Sequence, residues 1–178
     1  MARTLDRETL AAVRLLVLDV DGVLTDGVIA LDDRGVETKH FSVRDGSAIA
    51  LWRKTGRKVA ILSGRKAECV NVRAAELGIE PVVQGASSKL EPFRRILATL
   101  KIPVEQTCYV GDDWADLPVL EVAGLSACPS DAAEEVRDVV HLVARASGGH
   151  GVVREIIQIL LKESGEYDDL IRGFRAVG

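Results

Sequence analysis

The amino-acid sequence predicts a doubly wound α/β domain on a parallel sheet, with one inserted β-hairpin. Three observations carry that expectation. Short apolar runs alternate with longer amphipathic segments along most of the chain. The short runs are mostly apolar and do not alternate, as suits strands covered on both faces. One stretch after the first run breaks the alternation around a turn sequence.

The elements follow in order. The N-terminal residues have mixed charge and no apolar stretch before the first strand, so they do not read as a signal peptide. Strands are expected at 13–18 (VRLLVL), 58–62 (KVAIL), 81–83 (PVV), 107–110 (TCYV) and 139–143 (VVHLV). Helices are expected at 46–55, 65–77, 88–100, 114–123 and 131–137, with a last one from about Val152 to Lys162. Gly78 suits a left-handed cap on the second of these helices. Ser88-Lys89-Leu90-Glu91 has capping-box spacing, which would put Lys89 in the first turn of its helix. Residues 27–41 (GVIALDDRGVETKHF) hold two strand-like runs around Asp32-Asp33-Arg34-Gly35 and read as the hairpin. Strand–helix alternation of this kind implies right-handed crossovers. The reading is one domain over 1–163, with a polar, Gly-containing tail at 164–178 that is expected to be mobile.

Composition narrows the function classes. A chain of 178 residues, 47% apolar, has material for a real core, and nothing in it suggests disorder. A net charge of −4 argues against nucleic acid as ligand, since phosphate-backbone binding needs a basic face. No run approaches the roughly 18 apolar residues of a membrane span. Cys69, Cys108 and Cys128 show no paired spacing and read as reduced thiols in a reducing compartment. A soluble, cytoplasmic protein is expected.

In an open α/β sheet, ligands bind beyond the carboxyl ends of the strands. Asp19-Val20-Asp21-Gly22 follows the first strand and Ser63-Gly64-Arg65 the second. Lys89 opens the helix after the third, and Gly111-Asp112-Asp113 follows the fourth. Acids, a hydroxyl and a lysine thus arrive at one edge. That set suits hydrolysis of a phosphate monoester, where positioning and charge neutralisation do most of the catalysis. A carboxylate attacking a phosphate dianion needs compensating positive charge, and Mg²⁺ held by oxygen ligands is the natural source. Asp19 is the candidate nucleophile. Asp21, two residues on and past the strand end, would protonate the leaving alkoxide and then activate water. Asp19, Asp112 and the backbone region near Asp21 would hold the metal. Lys89 would neutralise the phosphate, with Ser63 and Gly64 beside it. Asp113 reads as a direct metal ligand, as support for the ligands or as a cap on the next helix, and Asp116 as support or such a cap. Arg65 reads as a substrate contact, because a guanidinium grips a carboxylate through two parallel hydrogen bonds.

Bland readings suit the remaining residues. Arg44 and Arg73 read as structural. His40, His141 and His150 lack metal-ligand spacing, and Trp52 and Trp114 are too few for a stacking platform.

The ordered set DVDGVLTDG at 19–27, LSGR at 62–65, Lys89 and GDDWAD at 111–116 resembles the haloacid dehalogenase superfamily. Asp at the second position points to its phosphatase branch, since the related ATPases carry Thr there. FSVRDG at 41–46, LSGRKAECVNVRAAELGI at 62–79, QGASSKL at 84–90 and GGHGVVRE at 148–155 resemble the family of 3-deoxy-D-manno-octulosonate 8-phosphate phosphatases. Trp114, Ala48 and Val152 depart from that pattern at positions that touch substrate fit or packing. The resemblance spans roughly residues 13–160. It implies a capless domain, a homotetramer, and a small acidic sugar phosphate as substrate in lipopolysaccharide biosynthesis. The related phosphatases of nine-carbon keto sugar acids are the alternative. They would carry an acid where Arg65 stands and a Ser-Asp pair in place of Arg44-Asp45. A phospho-accepting receiver domain, the alternative of another class, would need adjacent acids after the first strand and its phosphorylated Asp after the third.

Overall fold

The computed structural model describes residues 6–176. Helix α1 (Arg7–Ala12) is started by Asp6, whose carboxylate accepts the Thr9 amide at 2.7 Å. It leads into β1 (Leu15–Leu18), buried at all four positions. The hairpin follows as β2 (Ala30–Leu31) and β3 (Glu37–Thr38), antiparallel, with Leu31 opposite Glu37. Asp32 shapes its turn, accepting the amides of Arg34 at 2.9 Å and Val36 at 2.8 Å. Then come α2 (Val43–Lys54), β4 (Lys58–Leu62), α3 (Glu68–Leu77), β5 (Val82–Val83) and α4 (Leu90–Leu100). The rest is β6 (Thr107–Val110), α5 (Leu117–Leu120), β7 (Leu125–Cys128), α6 (Glu134–Val139), β8 (Leu142–Val143), α7 (Val152–Glu163) and α8 (Tyr167–Ala176).

Six strands form one sheet in the order β5-β4-β1-β6-β7-β8, every neighbouring pair parallel. β1 lies inside it, with Leu18 level with Ile61 on one side and Val110 on the other. Side chains alternate between two cores, as the pleat requires. Leu16, Leu18, Val59, Ile61, Cys108 and Val110 pack on one face with Ile49 and Trp52 of α2 and Ile156 and Leu160 of α7. Leu15, Val17, Ala60, Leu62 and Tyr109 pack on the other with Phe93 and Ile96 of α4 and Leu120 of α5. Each fully buried aliphatic side chain contributes roughly 1.5–3 kcal/mol. Both faces being covered explains why the strands read as unbroken apolar runs.

Several expectations need correction. Neither α1 nor β7 was foreseen. The helix expected at 114–123 is a 3₁₀ turn, Trp114–Asp116, followed by the single turn of α5. The capping box at Ser88 does not form. Lys89 is itself the N-cap residue of α4, without a side-chain cap bond, because its ammonium is drawn to two carboxylates across the sheet edge. The stretch expected to be a mobile tail holds α8, although 177–178 lie outside the described residues, as do 1–5. Arg57 ties that end down: it makes a two-pronged pair with Glu166, both contacts at 2.7 Å, while lying against the Trp52 ring. Gly78 does cap α3 at φ 63°. All three cysteines are free, and burial pushes the Cys128 thiol up to about 12 and that of Cys108 higher still. Among the described residues, no helix is long and apolar enough to cross a membrane.

Candidate active site

The carboxyl ends of β1, β4 and β6 and the start of α4 meet in a cavity of about 260 Å³. Asp19, Asp21, Ser63, Gly64, Arg65, Lys89, Asp112, Asp113 and Asp116 all line it. Larger cavities lie elsewhere: two of about 490 Å³, one lined by Arg53, Arg57 and Lys58 and the other by His40, Arg44 and His150, and one of about 400 Å³ lined by Lys39, Phe41 and Arg73. None of them contains the strand-end carboxylates.

Asp19 is buried one step beyond β1, with its amide donating to the Val110 carbonyl at 3.0 Å. The chain then turns through Gly22 at φ +82°, a left-handed conformation that side chains resist. A Cβ there would lie 1.9 Å from Asp112 Oδ2. This loop is braced from the far end of the chain. The Gly149 amide donates to the Val23 carbonyl at 2.9 Å, and a Cβ on Gly148 would stand 1.9 Å from the Gly22 oxygen. Asp45, buried near the start of α2, accepts the amides of Gly151 and Arg154 and so fixes the start of α7 beside the brace.

Lys89 Nζ lies 3.0 Å from Asp19 Oδ1 and 2.6 Å from Asp116 Oδ1. Asp116 is fully engaged. Its Oδ1 also accepts the Tyr109 hydroxyl, and its Oδ2 accepts the amides of Asp112 at 3.1 Å and Asp113 at 3.2 Å. Ser63 is buried, and its Oγ accepts the Arg65 amide at 3.3 Å.

Charge in the site is unbalanced. Oxygens of Asp19, Asp112 and Asp116 lie within 4.8 Å of one another, with Lys89 the cation among them. Burial, then repulsion from Asp116, pushes the Asp19 carboxyl up to about 7, against the pull of Lys89. Burial, then repulsion from Asp19 and Asp116, pushes Asp112 up to about 8. Asp112 Oδ1 is buried and accepts no hydrogen bond among the described residues. A small hard cation fits this donor set: its charge would relieve the repulsion and its coordination would use the idle oxygen. Asp19 and Asp112 have lone pairs to spare for it, whereas Asp116 does not.

Two acids stand apart from that cluster. The Asp21 carboxylate is bound by Lys39 and approached by Arg65, which leaves the backbone beside it as the donor expected from the sequence. Asp113 is exposed and caps the 3₁₀ turn, accepting the Trp114 amide at 2.8 Å. Trp114 itself is turned to Glu135, its indole N–H donating at 3.0 Å. Three contributors were not singled out from sequence: Tyr109, Glu37 and Lys39. The spacing Glu37-Thr38-Lys39 places the last two on one strand face, the one signal that could have paired them.

Residues 36–124 match the family described as haloacid dehalogenase-like hydrolase. The chain is 45% identical over 157 residues to the 3-deoxy-D-manno-octulosonate 8-phosphate phosphatase KdsC of Escherichia coli K12, covering 88% of this chain and 84% of the relative. The fold matches the crystal structure of that phosphatase from Moraxella catarrhalis in complex with magnesium ion, phosphate ion and KDO. There the TM-score is 0.92 at 34% identity, over 94% of this chain and 97% of the other. It also matches the cobalt-bound phosphatase from Haemophilus influenzae, with TM-score 0.90 and 35% identity, over 93% and 98% of the two chains.

Proposed function

This chain belongs to the haloacid dehalogenase-like hydrolase family, and from that premise we propose that it is a Mg²⁺-dependent phosphatase. It converts 3-deoxy-D-manno-octulosonate 8-phosphate to 3-deoxy-D-manno-octulosonate and phosphate, a step of lipopolysaccharide biosynthesis. The carrying observation is Lys89 Nζ 3.0 Å from Asp19 Oδ1, beside the idle oxygen of Asp112. A nucleophile, a phosphate-binding cation and a carboxylate oxygen suited to a metal thus share one edge of the sheet.

Asp19 and Asp112, with a main-chain oxygen near Asp21, would hold Mg²⁺. When bound, that ion supplies the positive charge that keeps Asp19 ionised beside a phosphate dianion. An Asp19 carboxylate oxygen attacks phosphorus, and the bond from phosphorus to the sugar oxygen breaks. Asp21 gives its proton to the departing alkoxide. Asp21, now a carboxylate, takes a proton from water as that water attacks the aspartyl-phosphate, freeing phosphate and restoring Asp19. Lys89 and Ser63 hold the phosphate oxygens, and Asp116, locked by Tyr109 and two amides, aims Lys89. Asp113 supports the metal loop. Gly64 leaves room at the phosphate, and Arg65 reaches for the substrate carboxylate.

The assembly belongs to the same reading. Val28, Ile29, Leu31 and Val36 on the hairpin are 63, 48, 63 and 54% exposed, an apolar surface that asks for cover. It supports a cytoplasmic homotetramer in which a neighbour's hairpin shields the open site. Light scattering at assay concentration checks this, and a fully active monomer would exclude it. The function itself is tested by phosphate release over a panel of sugar phosphates, including a nine-carbon keto acid 9-phosphate, with and without Mg²⁺. The eight-carbon substrate should lead the panel and depend on the metal.

A further inference from the structure

The carboxylate assigned as acid and base sits in a closed ring of four charges. Asp21 Oδ1 is bound by Lys39 Nζ, and Asp21 Oδ2 lies 3.6 Å from Arg65 Nε. Lys39 also reaches Glu37 Oε1 at 2.6 Å, while Arg65 Nη2 donates to Glu37 Oε2 at 2.8 Å. Anions and cations alternate, and each of the four carboxylate oxygens faces one cation. Two members come from the hairpin and its exit, and two from the catalytic edge.

The two cations are not equivalent. The Lys39 side chain is 1% exposed, whereas that of Arg65 is 46% exposed. A buried ammonium between two carboxylates has no water to retreat to, so breaking its contacts is costly. Arg65 can swing into solvent or onto a ligand. Its 3.6 Å approach to Asp21 Oδ2 is also too long for a hydrogen bond. Oδ1 is therefore the anchored oxygen of Asp21 and Oδ2 the one left to meet a ligand.

We propose that Lys39, steadied by Glu37, is the positioning residue for Asp21: the hairpin fixes the acid so that Oδ2 meets the leaving oxygen. This rests on the phosphatase reading above. Were the ring only a fastener for the hairpin, losing it would lower stability and slow every substrate alike.

The test is single-turnover release of the leaving group at saturating substrate and Mg²⁺. It compares 3-deoxy-D-manno-octulosonate 8-phosphate, whose alkoxide needs a proton, with p-nitrophenyl phosphate, whose phenolate leaves without one. Lys39→Met should slow sugar release roughly ten- to a hundredfold and leave nitrophenolate release nearly unchanged. In an Asp21→Asn background the same change should cost nothing further, because Lys39 acts through Asp21. Glu37→Gln should reproduce the split in smaller measure, and it decides the matter if Lys39→Met does not fold. Equal losses on both substrates, a further loss in the Asp21→Asn background, or unchanged sugar release would overturn the proposal. A wild-type enzyme inactive on the octulosonate phosphate would fail the function reading instead. The split would then be read between p-nitrophenyl phosphate and any alkyl phosphate that it does cleave.

Discussion

A Cβ on Gly22 would stand 1.9 Å from Oδ2 of Asp112. The loop that carries Asp19, the proposed nucleophile, and the loop that carries Asp112, the proposed metal donor, therefore meet without room for a methyl group. Gly22→Ala should push Asp112 aside while also straining a backbone at φ +82°. Mg²⁺ affinity should fall by roughly ten- to a hundredfold, the usual scale for displaced ligand support. Titrating activity against Mg²⁺ checks this, and an unchanged half-saturating concentration would contradict it.

Asp19 and Asp112 make the metal-free protein sensitive to pH. Their carboxyls are raised to about 7 and about 8, against an ordinary 3.8 in the unfolded chain. Between pH 4 and 8 the folded state then binds more protons than the unfolded one, so stability falls as pH rises through that window. Thermal melts in chelator should drop by several degrees from pH 5 to pH 8, on the order expected for a few kcal/mol in a domain of this size. Mg²⁺ competes with those protons, so its gain in Tm should be larger at pH 8 than at pH 6. A flat profile would show that the carboxyls are not raised.

Asp19→Asn should abolish turnover, because an amide cannot form the phosphoenzyme. It also removes a buried charge from a repelling cluster, so the metal-free variant should melt no lower than the wild type at pH 8. Measurable aspartyl-phosphate chemistry in this variant would remove Asp19 from its role.

Asp116→Asn keeps the size of the side chain but replaces an oxygen facing Lys89, Tyr109 or two amides with a donor. Such a mismatch at a buried network costs about 1–3 kcal/mol. Activity should fall further, by roughly a hundredfold, because Lys89 loses its aim. Melting curves and kcat measured together separate the two effects.

Arg65→Ala should raise KM for the acidic sugar phosphate by about ten- to a hundredfold, the scale of one lost charged hydrogen bond. p-Nitrophenyl phosphate, with no carboxylate to hold, should be hydrolysed almost as before. Equal losses would assign Arg65 to general support of the site.

Much of this was legible because burial on both faces leaves a plain mark. β1, β4 and β6 are the unbroken apolar runs, and the acids after β1 and β6 sit where strand ends place them. β7 was hidden: Leu125-Ser126-Ala127-Cys128 is buried throughout but has small side chains and a serine, whose hydroxyl meets His141 Nδ1 at 2.7 Å. α8 reads as polar tail because Leu170, Ile171 and Phe174 are spaced among charges, whereas its start is anchored by Arg57, far upstream, and by Gln158 and Lys162 of α7 against Tyr167. Lys39 and Glu37 resemble a solvated hairpin edge. Nothing local reveals that Lys39 is buried, because its partner Asp21 lies eighteen residues earlier in the chain.

The brace of Gly148 and Gly149 against the Gly22 loop sets a timetable. Translation delivers Asp19, Asp21, Ser63, Lys89 and Asp112 well before the segment that holds the Asp19 loop in shape. A nascent chain can thus own every side chain of the proposed site and still lack its organisation. Order in the site waits for Gly148 and Gly149, and a product cut before them would be an idle one.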